Sequence, residues 1–155
     1  MRSSAPVWLL LWMTVLLQGC STNGESPEDR IRNFIEAGVA AAEARSSSDL
    51  ADLIHENYHD QKGYAKKSLT GLLRAYFLRH KNIHLFTKID EIELLSDNQA
   101  MVRLHLAMAG SVISNVGALS AVRARLYRLE LSLEKDGEWL LRHAGWAPAS
   151  ITDLE

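Results

Sequence analysis

The spacing of apolar residues in this chain changes once, near Asn82, and that change constrains the fold more than any motif does. Before it the spacing is helical. Ser26-Pro27-Glu28-Asp29 is a helix start, with a capping serine, proline at the first position and acids in the first turn. Ile31, Phe34, Ile35, Gly38, Val39 and Ala42 then recur at helical intervals, to an end expected near Arg45. Ser46 to Asp49 breaks that helix and caps a shorter one bearing Leu50, Leu53 and Ile54, which is expected to end around Tyr58. A third helix is predicted from about Ala65 to His80, with Leu69, Leu72, Leu73, Tyr76 and Phe77 as its buried stripe.

Beyond Asn82 the apolar residues alternate, as on half-buried strands. The predicted strands are 83–95, 100–113, 120–135 and 138–147. Asp97-Asn98 and Asp136-Gly137 are the hairpin turns, the second pair a strong turn signal. A looser connection runs over 110–119. In the first strand, Ile83, Leu85 and Ile89 share one parity and Ile92 and Leu94 the other, so a bulge is expected near Asp90. Helices followed by hairpin-linked strands imply an α+β fold. The expectation is three N-terminal helices packed on a strongly curved four-stranded antiparallel sheet. Long strands twist and curl, and a curled sheet closed by helices is a cone with room inside.

Parity along the strands nominates what faces that interior. Arg125 and Tyr127 share a face with Leu129, Leu131 and Leu133, and His143 shares one with Trp139 and Leu141. Tyr76 lies on the buried stripe of the third helix. Tyr76, Arg125, Tyr127 and His143 are therefore the expected pocket set, against the plainer alternative of a packed core with satisfied polar tips. Arg103 and His105 are expected outside. No Asp or Glu falls on the predicted inner face of the last two strands. That weakens any acid–base mechanism needing a carboxylate base.

His55-Glu56-Asn57-Tyr58-His59 spells the helical zinc-protease pattern, in which two histidines one turn apart share a metal and the glutamate acts as base. A third ligand is missing where it is needed: the pattern wants glycine at 62 and a histidine ligand at 65, where Lys62 and Ala65 stand, and the third helix holds no acid to replace it. His55 and His59 read more simply as a partly exposed histidine pair at a frayed helix end, with adventitious metal binding by the pair as a further alternative. Zinc hydrolysis is the least favoured reading, and no cofactor is expected.

The N-terminus carries an address. Met1-Arg2 supplies positive charge, Val7 to Leu17 is apolar apart from Thr14, and Leu17-Gln18-Gly19-Cys20 follows. This is the layout of a secretory signal. The apolar run is about half the ~20 residues a membrane-spanning helix needs. The segment resembles the lipobox of bacterial lipoproteins, with Leu17, Gly19 and Cys20 on pattern and Gln18 larger than usual. The resemblance implies cleavage before Cys20 and acylation on it. Ser21, in place of aspartate, favours the outer membrane, with the domain facing the periplasm. The expected organisation is a signal peptide over 1–19, a lipidated cysteine and tether over 20–26, a domain over 27–150 and a tail over 151–155. Cys20 is the only cysteine, so no disulfide staples the domain. With 17 basic against 19 acidic residues, the chain has no basic excess for nucleic acid.

The order of elements, the small-residue-rich first helix, Tyr58-His59-Asp60, and the closing Asp136-Gly137-Glu138-Trp139-Leu140-Leu141 with Trp146 resemble the nuclear transport factor 2-like superfamily. This is the cone fold shared with ketosteroid isomerase, and the likeness covers roughly 27–148. Gly71 to Phe77 with His80 and Ile83-His84 also resembles uncharacterised proteobacterial lipoproteins of this type. The resemblance implies a cone-shaped domain and allows pairing into a homodimer, but no motif of this superfamily specifies one function. The expected role is a lipid-anchored, non-catalytic module that binds a small apolar ligand or an envelope protein. The alternative is a small isomerase, dehydratase or cyclase.

Overall fold

The computed structural model describes residues 24–154; the N-terminal apolar run, the cleavage site and Cys20 lie outside them. The elements run α1 (Pro27–Glu43), α2 (Ser47–Asp52), β1 (Ile54–Asp60), α3 (Lys66–Arg79), β2 (His84–Ser96) and β3 (Gln99–Ala109). A 3-10 turn (Val116–Ala118), β4 (Arg125–Asp136), β5 (Glu138–Pro148) and a last 3-10 turn (Ile151–Leu154) complete the order. Among the described residues, no helix is long and apolar enough to cross a membrane.

The helix starts follow their caps. Ser26 Oγ accepts the Asp29 N–H at 3.1 Å with Pro27 at the first position, and Ser46 Oγ accepts the Asp49 N–H at 3.2 Å. α1 then buries Ile31 and Ile35 against the sheet. α3 buries Phe77 and half-buries Leu69, Leu73 and Tyr76, while Leu72, expected on the same stripe, is 47% exposed.

The sheet has five strands and is mixed, in the order β1-β5-β4-β3-β2, rather than four-stranded and antiparallel. β2 to β5 form the expected antiparallel meander. The added strand is Ile54–Asp60, expected as a helix end and found parallel to β5. α2 stops at Asp52, and the chain then finds partners on the open edge of β5. The Leu141 N–H donates to the Leu53 carbonyl at 2.9 Å and the Gln61 N–H to that of Ala144 at 3.1 Å. An edge of unpaired backbone groups is costly to leave buried, and this satisfaction comes from residues more than 80 positions away in sequence, Leu53 with Leu141 and Gln61 with Ala144. No local periodicity encodes it.

Two of the sheet's register shifts decide which side chains of the long strands face inward. One falls at Asp90, between Ile89 and Glu91, where the parity change required it. The other falls at Arg142: Ser132 pairs with His143 and Leu133 with Leu141, leaving Arg142 as the extra residue. β4 begins at Arg125 rather than at 120, because 120–124 turns and Arg123 takes a left-handed φ of 51°.

The inner face of the sheet and α1 bury Ile31, Val102, Leu104, Leu133 and Trp139. Burying each large aliphatic side chain contributes about 1.5–3 kcal/mol. A second cluster sits on the opposite face of β3. Ala107 and Ala109 are covered there by Ile113, Leu119 and Leu154. The C-terminal segment is therefore part of the domain: Leu154 is buried, and the Lys88 ammonium donates to its carbonyl.

Candidate functional site

Between the helices and the inner face lies a cavity of about 270 Å³. α1 contributes Phe34, Ile35, Gly38, Val39 and Ala42, α2 Leu50, and α3 Leu69 and Leu73. Leu104 and Leu106 of β3, Leu129 and Leu131 of β4 and Leu141 of β5 form its floor. Thr87 is the one lining residue with a polar side chain. A cavity of about 150 Å³ with such walls holds one benzene-sized molecule, so this one takes a body of roughly two rings or the equivalent chain. No ionisable side chain lines it.

The expected pocket set divides. Tyr76 and Arg125 come together, not in the apolar cavity but in a second, polar pocket of about 180 Å³ at the C-terminal end of α3, shared with His80, Asn82, Met108 and Arg123. Tyr76 Oη lies 3.0 Å from Met108 Sδ, and its ring stacks on His80 with centroids 4.1 Å apart. Tyr127 faces inward, paired across the sheet with Leu106, but lines neither space. His143 does not face the cone. The bulge at Arg142 reverses its parity, so it stands with Ser132 on the outer face, its ring 4.9 Å from that of His59.

His55 and His59 lie on a strand, not a helix, which separates residues four apart by on the order of 13 Å. His55 Nδ1 accepts the Asn57 N–H at 3.0 Å, and His59 Nδ1 lies 3.3 Å from the Arg142 guanidinium. Among the described residues no group of three His, Cys, Asp or Glu could hold a metal ion. Glu56, the would-be base, is exposed and salt-bridged to Lys66 at 2.5 Å, and this lysine holds its carboxyl below the usual range. The zinc-hydrolase geometry does not form.

Two buried polar groups were not expected as such. Asp60, at the end of β1, is 4% exposed; its Oδ1 accepts the N–H groups of Lys62 and Tyr64 at 2.8 and 2.9 Å, while Oδ2 is buried with no partner. Burial first, and the Asp60 charge second, push the neighbouring Tyr58 phenol well above its ordinary pKa. An aspartate followed by Gln-Lys-Gly is a turn signal, and it was the only local sign of this site. On the outer face, His105 is buried with Nδ1 2.8 Å from Asp90 Oδ2, a close contact without aligned hydrogen-bond geometry.

No family model and no curated protein matches the sequence. Solved structures are. Bd1075 of Bdellovibrio bacteriovorus superposes with a TM-score of 0.65 at 14% identity over 81% of this chain, which spans 44% of that protein's length. A scytalone dehydratase candidate from Novosphingobium aromaticivorans gives 0.66 at 13% identity, covering 79% of this chain and 84% of that one. A ketosteroid isomerase-like protein from Erwinia carotovora gives 0.57 at 14%, covering 77% and 94%. The fold is the one carried by structures described as nuclear transport factor 2-like and cystatin-like.

Proposed function

We propose that this domain is a non-catalytic binding module for a small apolar ligand, held through a lipid on Cys20 at the periplasmic side of a bacterial outer membrane. The observation that carries the binding role is the cavity itself, closed by aliphatic and aromatic walls with Thr87 as its single polar side chain. Ligand sites are concave and mostly apolar, with few polar groups to orient the guest. General acid–base chemistry needs a titratable group within hydrogen-bond reach of the reacting atom, and this lining supplies none. The Leu17-Gln18-Gly19-Cys20 pattern supports the anchor. More than one acyl chain on the cysteine would hold the protein stably.

Native mass spectrometry of the full chain, extracted from membranes into nonionic detergent, tests the binding role. A retained organic mass that disappears in Ala42→Phe, which fills the cavity, is the expected result. Both proteins appearing at their own bare masses would refute it. The anchor is tested separately: Cys20→Ser should leave an uncleaved, unacylated precursor, and normal acylation of that variant would overturn it.

A second reading, a small isomerase, dehydratase or cyclase, is favoured by one observation. Asp60 keeps a buried, unpartnered carboxylate oxygen near Tyr58, in a fold whose solved examples include the dehydratase candidate and the ketosteroid isomerase-like protein. Turnover of a retained ligand, abolished by Asp60→Asn without loss of binding, would select it.

A further inference from the structure

We propose that the ligand is a small apolar carboxylate, its body in the cone and its head group held by Arg123 and Arg125 in the adjoining polar pocket. The inference rests on the binding role proposed above and adds the chemical class of the guest.

Four observations carry it. The polar pocket presents two guanidinium groups, the His80 ring, the Tyr76 hydroxyl and the Asn82 amide, and no acid lines it. Among the described residues, neither Arg123 nor Arg125 lies in salt-bridge contact with a carboxylate. The last carbonyls of α3, which ends at Arg79, bring roughly half a negative charge to this end. One arginine already outweighs that; two leave a clearly positive site. Planar guanidinium groups match carboxylate oxygens in pairs.

Arg123 also holds a conformation that glycine would adopt more easily. Its φ is 51°, in the left-handed region that L residues with a Cβ avoid. Backbone outliers of this kind concentrate at functional sites. Here the outlier places a cation on the rim of the pocket.

The two spaces are neighbours along the same face. Leu106 lines the cavity and Met108 the polar pocket; they are alternate residues on β3, about 7 Å apart. Leu73 and Tyr76 bear the same relation across one turn of α3. The Tyr76–Met108 contact at 3.0 Å stands at the boundary. Methionine is unbranched and adapts its rotamer readily, so this contact can part to let a ligand lie across both.

The test titrates the full chain in nonionic detergent with 4-phenylbutyrate and with its uncharged counterpart 4-phenylbutan-1-ol, using protein-free micelles as the blank. The carboxylate should bind at least ten-fold more tightly, a difference of about 1.4 kcal/mol. The preference should vanish in Arg123→Gly/Arg125→Gln while the affinity for the alcohol stays the same. Both side chains are exposed, and glycine suits the backbone at position 123, so the double variant keeps its fold, which circular dichroism checks. Equal affinities for acid and alcohol would overturn the head-group site and leave the apolar binding role standing. A carboxylate preference that survives the double variant would overturn its placement at these arginines. Failure of both probes to bind, or to be displaced by Ala42→Phe, would refute the binding role and this inference with it.

Discussion

Gly38 offers a measurement that separates an open cavity from a filled one. It lies in the interior of α1 and on the cavity wall. A methyl group added there meets nothing nearer than Leu53 Cδ1 at 3.9 Å, an ordinary van der Waals contact. Replacing a helix-interior glycine by alanine gains about 0.8–1.0 kcal/mol in helix propensity. A fully buried methyl adds about 0.8 kcal/mol, and half that suits a half-buried site. Gly38→Ala should therefore stabilise the domain by about 1–1.5 kcal/mol. At roughly 4 °C per kcal/mol for a domain of this size, Tm should rise by about 4–6 °C, read by circular dichroism at 222 nm. Ligand binding should survive a change this small. An unchanged or lowered Tm would refute the reasoning, because it would mean that the wall at Gly38 is already in contact or that α1 is not regular there. Gly38→Phe carries the same logic to its limit: the ring should occupy the cavity and exclude the ligand.

Three further outcomes follow from the packing. Leu133 is 2% exposed in the main core, so Leu133→Ala should cost about 3 kcal/mol, seen as a lower urea midpoint at unchanged slope. Ending the chain after Ser150 removes Leu154 from the outer-face cluster; it should cost about 2–3 kcal/mol and raise binding of a hydrophobic dye. The Tyr58 phenol is held above its ordinary value near 10 by burial and then by Asp60. The folded chain thus keeps a proton that the unfolded chain releases, so stability is complete below about pH 10 and falls as pH rises beyond it. Tyr58→Phe should flatten that alkaline fall in pH-dependent denaturation; an identical profile would show that Tyr58 ionises freely.

The fold was largely legible because its main elements are amphipathic and local. The cap at Ser26, the hairpin at Asp136-Gly137, where Gly137 takes φ 74°, and the bulge at Asp90 each follow from residues within a few positions of one another. Tyr76 and Arg125 could be placed near a pocket because helical and strand parity hold along uninterrupted elements. The failures at His143 and Arg123 arose where parity is interrupted, by a bulge against a partner strand and by a turn. His143 turned outward because one extra residue at Arg142 is accommodated against β4. Arg123 reached the pocket through a left-handed turn that nothing in Ser120 to Ala124 announces.

Patterning by itself therefore determined the class of fold, the apolar lining and the absence of an acid on the inner face of β4 and β5, since these depend on periods of 3.6 and 2 read along the chain. Tertiary structure alone decided that Ile54–Asp60 is a strand. Of its seven residues, only Ile54 and Tyr58 are apolar or aromatic beside its charged and histidine side chains, too few to choose a conformation locally. The open backbone edge of β5 made the choice, and in doing so it took the histidine pair off a helix and buried the Asp60 carboxylate.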